Sequence, residues 1–197
     1  MLSFSEMIRV STALLIGTLL LSADSTAQVR VHSLDGPALV DPFAVPAGTK
    51  AIVFLFTSTD CPISNRYAPE VRRIAATFGA QGVVFRLVYP NPAEAAPAIR
   101  QHMAAFAYAG AAQALRDPEH ALVKAAGATI TPEAAVFAGG RLVYRGRIDD
   151  RYVDLGLERP SATKRDLADA LTAVVAGRPV VPPTTPAVGC FIADFVR

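Results

Sequence analysis

Ala51-Ile-Val-Phe-Leu-Phe56 is an unbroken run of six apolar residues, and five residues after its end stands Cys61-Pro62. A run of that length with no polar position suits a strand covered on both faces. Beyond the cysteine the period changes. Tyr67, Val71, Ile74, Ala75 and Phe78 fall at helical spacing, with Gly79 placed as a C-terminal cap. A doubly buried strand feeding a helix needs further strands beside it and helices over both faces, which commits the chain to an α/β architecture.

The rest of the chain fits that frame. Val83 to Tyr89 is a second apolar strand, stopped by Pro90 and Pro92. Ala93 to Ala107 reads as a second helix with Ile99, Met103 and Phe106 on one face, and a shorter helical piece follows Asp117 around Leu122 and Val123. Ala134 to Ala138 and Leu142 to Ile148 are strands joined by Gly139-Gly140, a tight hairpin signal. Ser161 is placed as the N-cap of a last helix, with Leu167, Leu171 and Val174 inward and Gly177 at its end. Near the start, Val29 to Leu34 followed by Asp35-Gly36 suggests a small hairpin. Strands alternating with helices imply parallel pairing, and the late hairpin adds antiparallel strands. The expected result is a mixed central sheet flanked by helices, with an extended C-terminal tail.

The first 27 residues carry a basic spot at Arg9, an apolar stretch and the small residues Ser25-Thr26-Ala27. This is the layout of a secretory signal peptide cleaved after Ala27. The 14 residues between Arg9 and Asp24 fall short of the roughly 17–25 needed for a spanning helix. The expected organisation is a signal peptide at 1–27, one domain over 28–178, and a proline-rich tail at 179–197 carrying Cys190. The mature protein is then periplasmic or extracellular, touching a membrane only through the cleaved peptide. A formal charge of +2 with no basic run argues against nucleic-acid partners.

Cys61 sits where a buried strand turns into a helix. Free backbone N–H groups and the helix dipole at such a terminus favour a thiolate, the species that attacks disulfides and peroxides. The bland alternative is a buried, inert cysteine. The turn position and the following Pro62 favour the reactive reading. His32, His102 and His120 show no metal-ligand spacing and read as surface residues, so neither a metal nor an organic cofactor is expected. Asp149-Asp150 reads as a solvated turn.

Phe54-Leu-Phe-Thr-Ser-Thr-Asp-Cys61-Pro-Ile-Ser64 is placed like the strand and active-site turn of thioredoxins. Pro69 has the spacing of their helix proline, and Ile130-Thr131-Pro132 matches the cis-proline that packs beside the cysteine. Asp60-Cys-Pro-Ile-Ser-Asn-Arg-Tyr67 and Tyr144-Arg-Gly-Arg-Ile-Asp-Asp-Arg-Tyr152 resemble exported redoxins of the peroxiredoxin-like (AhpC/TSA) group. The likeness spans roughly residues 50–177. It implies a thioredoxin fold with a redoxin-type insertion between Val83 and Pro132. It also implies a reactive Cys61, and a substrate groove shaped by Pro62, Thr131 and Pro132.

Two departures limit that resemblance. Ser64 replaces the second cysteine of the thioredoxin turn, and a hydroxyl cannot resolve a mixed disulfide. Ser58 fits the hydroxyl position of the peroxiredoxin pattern, but Phe54 occupies its proline position. Arg145 and Arg147 are the candidates for polarising a peroxide. Cys190 offers another resolving thiol. The 13 residues from Gly177 to it span about 40 Å at ~3.1 Å per residue when extended, against a radius of gyration of roughly 15 Å for such a domain. The expected activity is thiol–disulfide exchange at Cys61, resolved by Cys190 or an external thiol, with a thiol or disulfide protein as partner. Peroxide reduction is the alternative enzyme reading. A non-catalytic module with a structural Cys61–Cys190 disulfide is the alternative from another class.

Overall fold

The computed structural model describes residues 28–193; the expected signal peptide lies outside them. β1 (Val31–Ser33) and β2 (Leu39–Val40) form the small antiparallel hairpin expected near the start. The apolar run is β3 (Ala51–Phe56), with all six residues buried. It passes through Cys61 into α1 (Pro62–Gly79), then β4 (Val83–Tyr89) and α2 (Ala96–Ala105). β5 (Gln113–Arg116), α3 (Ala121–Ala126) and β6 (Ile130–Thr131) follow. The hairpin of β7 (Glu133–Ala138) and β8 (Arg141–Gly146) leads to a second, smaller one of β9 (Tyr152–Asp154) and β10 (Leu157–Glu158). α4 (Asp166–Val175) and β11 (Cys190–Phe191) complete the order.

Seven strands make one mixed sheet in the order β2-β1-β5-β4-β3-β7-β8. β3 and β4 run parallel, as do β4 and β5, while β7 lies antiparallel to β3. Side chains along β3 alternate between two cores, as the two-residue period of a strand requires. Val53 and Leu55 pack with Ile74, Phe78, Ile99, Leu167 and Leu171 from α1, α2 and α4. Ile52, Phe54 and Phe56 pack with Leu122 of α3 and Phe137 on the opposite face. There Phe43, Phe54 and Phe137 meet edge to face, with ring centroids 5.1–5.7 Å apart.

Several local expectations change. α1 begins at Pro62, a full turn ahead of its first periodic residue, because proline at the first helical position needs no N–H partner. Gly79 stays helical, and the cap residue is Ala80. α2 is shorter than its pattern, starting beside Pro97 and ending before Phe106. Ser161 is not an N-cap. Arg165 holds that position, and residues 163–164 instead donate their N–H groups to Asp150. Gly177 does end α4 in the left-handed conformation, with its own and the next N–H returning to the Val174 and Ala173 carbonyls.

The tail is laid along the sheet rather than projecting from it. The Arg145 N–H donates to Pro183 O at 2.9 Å, and the Thr185 N–H donates to Arg145 O at 3.0 Å, covering the free edge of β8. β11 then pairs antiparallel with β6, Cys190 opposite Thr131. Gly189 makes this approach possible, since a Cβ there would lie 2.1 Å from Thr131 O. Gly189→Ala is therefore expected to lift β11 from β6. Hydrogen exchange checks this: the Ile192 amide, bonded to Thr129 O at 2.9 Å, should lose protection by roughly tenfold or more.

Candidate functional site

Three segments far apart in sequence meet at one sulfur. Cys61 is the N-cap residue of α1 and is 1% exposed. Its thiol donates to the Thr131 carbonyl at 3.2 Å, from the turn that ends in the cis Thr131-Pro132 bond. Its Sγ lies 2.8 Å from Cys190 Sγ. Both cysteines are free thiols here. The sulfurs are nearer than unbonded atoms usually approach, so a bond of ~2.05 Å needs little backbone movement.

The two thiols have opposite electrostatic characters. Burial pushes the Cys61 thiol up, but the side chains of Cys190, Ser64 and Thr131 and the Ser64 N–H outweigh it. The net effect holds Cys61 below its ordinary value. The Ser64 hydroxyl is buried without a partner at full hydrogen-bond geometry, and from the position of the second turn cysteine it acts to lower the Cys61 thiol. Burial raises Cys190 instead, helped by Cys61 and by the negative charge of Asp60. Cys61 is therefore the more acidic thiol of the pair and Cys190 the less acidic.

The turn ahead of Cys61 is gripped at a single residue. The Thr59 N–H donates to Glu94 Oε1 at 2.5 Å, and the Thr59 carbonyl accepts from Asn65 Nδ2 at 3.1 Å. Asn65 Oδ1 then accepts from His102 Nε2 at 2.7 Å, and Tyr89 OH sits 2.9 Å from His102 Nδ1. Because the Asn65 amide donates to Thr59, its oxygen must accept; the ring therefore carries its proton on Nε2 and takes the Tyr89 hydroxyl proton at Nδ1. Burial pushes His102 below its ordinary pKa, so the neutral ring satisfies every partner. Ser58 belongs to the same grip, its hydroxyl bonded to Asp60 and to Glu94 Oε1.

The remaining candidates are placed differently from their sequence reading. His102 and His120 are buried, not surface residues; His120 bonds to Pro90 O. Arg145 and Arg147 do not attend the sulfurs. Arg145 is paired with Glu133 and bonded to Gly127 O, and Arg147 is paired with Asp166. Glu133 also accepts the Thr129 N–H, bracing the turn that carries Thr131 and Pro132. Asp149 and Asp150 are buried rather than solvated. Asp149 takes the Tyr67 hydroxyl at 2.6 Å, and Asp150 takes the hydroxyl and N–H of Thr163 and the N–H of Lys164. Pro62 is exposed beside Cys61, and Pro132 is buried. Among the described residues, no three His, Cys, Asp or Glu side chains gather as metal ligands. Nor is any described helix long and apolar enough to cross a membrane. Glu94 escaped the sequence reading, because nothing in its spacing links it to residue 59.

No protein-family model matches the sequence, and no curated protein matches it. Solved structures do. An uncharacterized conserved protein from Geobacillus kaustophilus superposes with a TM-score of 0.72 at 25% identity, over 85% of this chain and 89% of that one. A hypothetical protein from Sinorhizobium meliloti gives 0.66 at 25% identity, over 83% and 88%. A secreted Mycobacterium tuberculosis disulfide oxidoreductase homologous to E. coli DsbE gives 0.52 at 18% identity, over 79% and 99%. The chain has the thioredoxin-like fold, as the spaced residues around Cys61 and Pro132 implied.

Two outcomes follow from this geometry. Glu94→Ala or Asn65→Ala removes one side of the Thr59 grip and should cost about 1–3 kcal/mol in chemical denaturation. Glu94→Gln, which keeps the acceptor oxygen, should cost less. Cys190→Ser exchanges the thiol that donates to Cys61 for a smaller hydroxyl, so the alkylation midpoint of Cys61 should move to higher pH. A pH series of iodoacetamide rates checks this: reactivity near pH 7 falls because less thiolate is present.

Proposed function

We propose that this thioredoxin-fold protein is an exported thiol–disulfide oxidoreductase that cycles between a Cys61–Cys190 disulfide and the two thiols. The observation that carries the reading is the 2.8 Å separation of two sulfurs 129 residues apart in sequence. A chain with two cysteines in all brings both to one helix N-terminus. Cys190 supplies the second sulfur that the turn itself lacks at Ser64. Export is read from the arrangement of residues 1–27, and an oxidising compartment suits a working disulfide.

Thr131 lines the cavity beside Cys190 and, with the buried Pro132 behind it and the exposed Pro62 next to Cys61, forms the substrate-facing turn of this reading. The substrates are thiol or disulfide groups of other proteins. No cofactor enters the cycle: oxidation removes two electrons from the sulfurs, and exchange returns them. Peroxide reduction has less support. The two arginines considered for polarising a peroxide are held by Glu133 and Asp166, and Ser58 is committed to Asp60 and Glu94.

A redox titration against glutathione tests the proposal. A reversible couple is expected at a potential above about −300 mV, with exchange on a reporter disulfide abolished in Cys61→Ser. A potential below that value, with no exchange by the reduced chain, would identify a structural bridge in a binding module. Sulfenic acid at Cys61 and turnover of hydrogen peroxide without disulfide exchange would identify a peroxidase.

A further inference from the structure

The two sulfurs are not equally reachable. Cys61 is 1% exposed, closed in by α1, Thr131 and Cys190. Cys190 is only partly buried and lines a cavity of about 220 Å³, with Ser58, Asp60, Asn91, Thr131 and Phe191 among its walls. Cys61 is not among them. Phe191, the next residue along β11, is 81% exposed at the cavity's rim.

Disulfide exchange is a displacement in line: the entering sulfur approaches from the side opposite the leaving one. A partner thiolate approaching Cys61 meets a sulfur that is 1% exposed and lines no part of the cavity, whereas one approaching Cys190 meets a partly exposed sulfur on the cavity wall. We propose that in the oxidised protein Cys190 is the sulfur a partner thiol attacks, and that Cys61 is the leaving group. The inference rests on the redox-pair reading above and assigns roles within it.

The step balances without a further reagent. A partner thiolate forms a bond to Cys190 Sγ as the Cys190–Cys61 bond breaks, and the electron pair stays on Cys61. With Cys190 tied up in the mixed disulfide it has no proton to give, and the Ser64 side chain and N–H and the Thr131 side chain are what remain to favour the departing Cys61 sulfur. The partner's second thiolate then attacks its own sulfur in the mixed disulfide. That closes the partner's disulfide and releases Cys190, which takes up a proton. The partner is oxidised by two electrons and both sulfurs of the protein are left reduced, the state described above. The roles expected from the sequence, with Cys61 meeting the partner and Cys190 resolving, are thereby reversed.

A monothiol isolates the first step, because it has no second sulfur with which to finish. The oxidised chain is mixed with limiting N-acetylcysteine, quenched in acid within seconds, alkylated with N-ethylmaleimide and digested with trypsin. Cys61 and Cys190 fall in different peptides. The expected result is N-acetylcysteine on Cys190 and maleimide on Cys61, in roughly tenfold or greater excess over the reverse pattern. Equal labelling, or the adduct mainly on Cys61, overturns this inference while leaving the redox pair standing. Failure to form the Cys61–Cys190 disulfide on oxidation overturns both, so the two failures are told apart before any thiol is added.

Discussion

The pairing of β11 with β6 is the contact on which the site depends. It is a short ladder, Cys190 opposite Thr131 and Phe191 opposite Ile130. By itself it contributes little to a protein of this size. Its effect is positional. It brings a tail cysteine onto the sulfur of a helix N-cap, and the Gly189 backbone approaches Thr131 so closely that no side chain fits between them. Two further main-chain bonds between the tail and Arg145 hold the segment before it reaches β6. The tail thus closes a sheet edge and completes the thiol pair in one course.

A buried thiolate is costly, and the fold offsets that cost locally. Desolvation acts against Cys61 first; the side chains of Cys190, Ser64 and Thr131, the Ser64 N–H and the N-terminal position on α1 act for it. Those groups work only if the turn is held still. Thr59 is held by its N–H and its carbonyl at once, from Glu94 ahead of α2 and from Asn65 on α1. The neutral His102 ring continues the chain of bonds to Tyr89. The insertion containing α2 therefore reaches the sulfur without touching it.

Much of the fold was legible because its signals are local. Ala51–Phe56, Val83–Tyr89 and the hairpin around Gly139-Gly140 appear where their apolar patterns place them. Gly177 ends α4 as its type predicts. Misreadings came where a residue's role is set by something distant. Gln113–Arg116 is a strand because β4 and β1 flank it, although its four residues carry no strand pattern of their own. Ser161 is preceded by the right kind of segment for a cap, but Asp150 takes up the N–H groups just beyond it. Histidines without metal spacing read as surface groups, yet two are buried because a tyrosine, an asparagine and a backbone carbonyl satisfy them.

By itself the sequence determined the α/β order, the placing of Cys61 at a strand-to-helix turn, the loss of a second turn cysteine at Ser64, and the proline turn at residues 131–132. Each is a matter of residue type and short spacing. Only the tertiary structure decided what stands opposite Cys61. Thirteen residues of extended tail can reach almost anywhere on a domain of this size, so length alone places Cys190 nowhere. The β8 edge, the gap that Gly189 leaves against Thr131, and the ladder to β6 place it 2.8 Å from Cys61. The same contacts leave Cys190 as the sulfur on the cavity side, because the tail lies over a cysteine that the helix and the cis-proline turn have already enclosed.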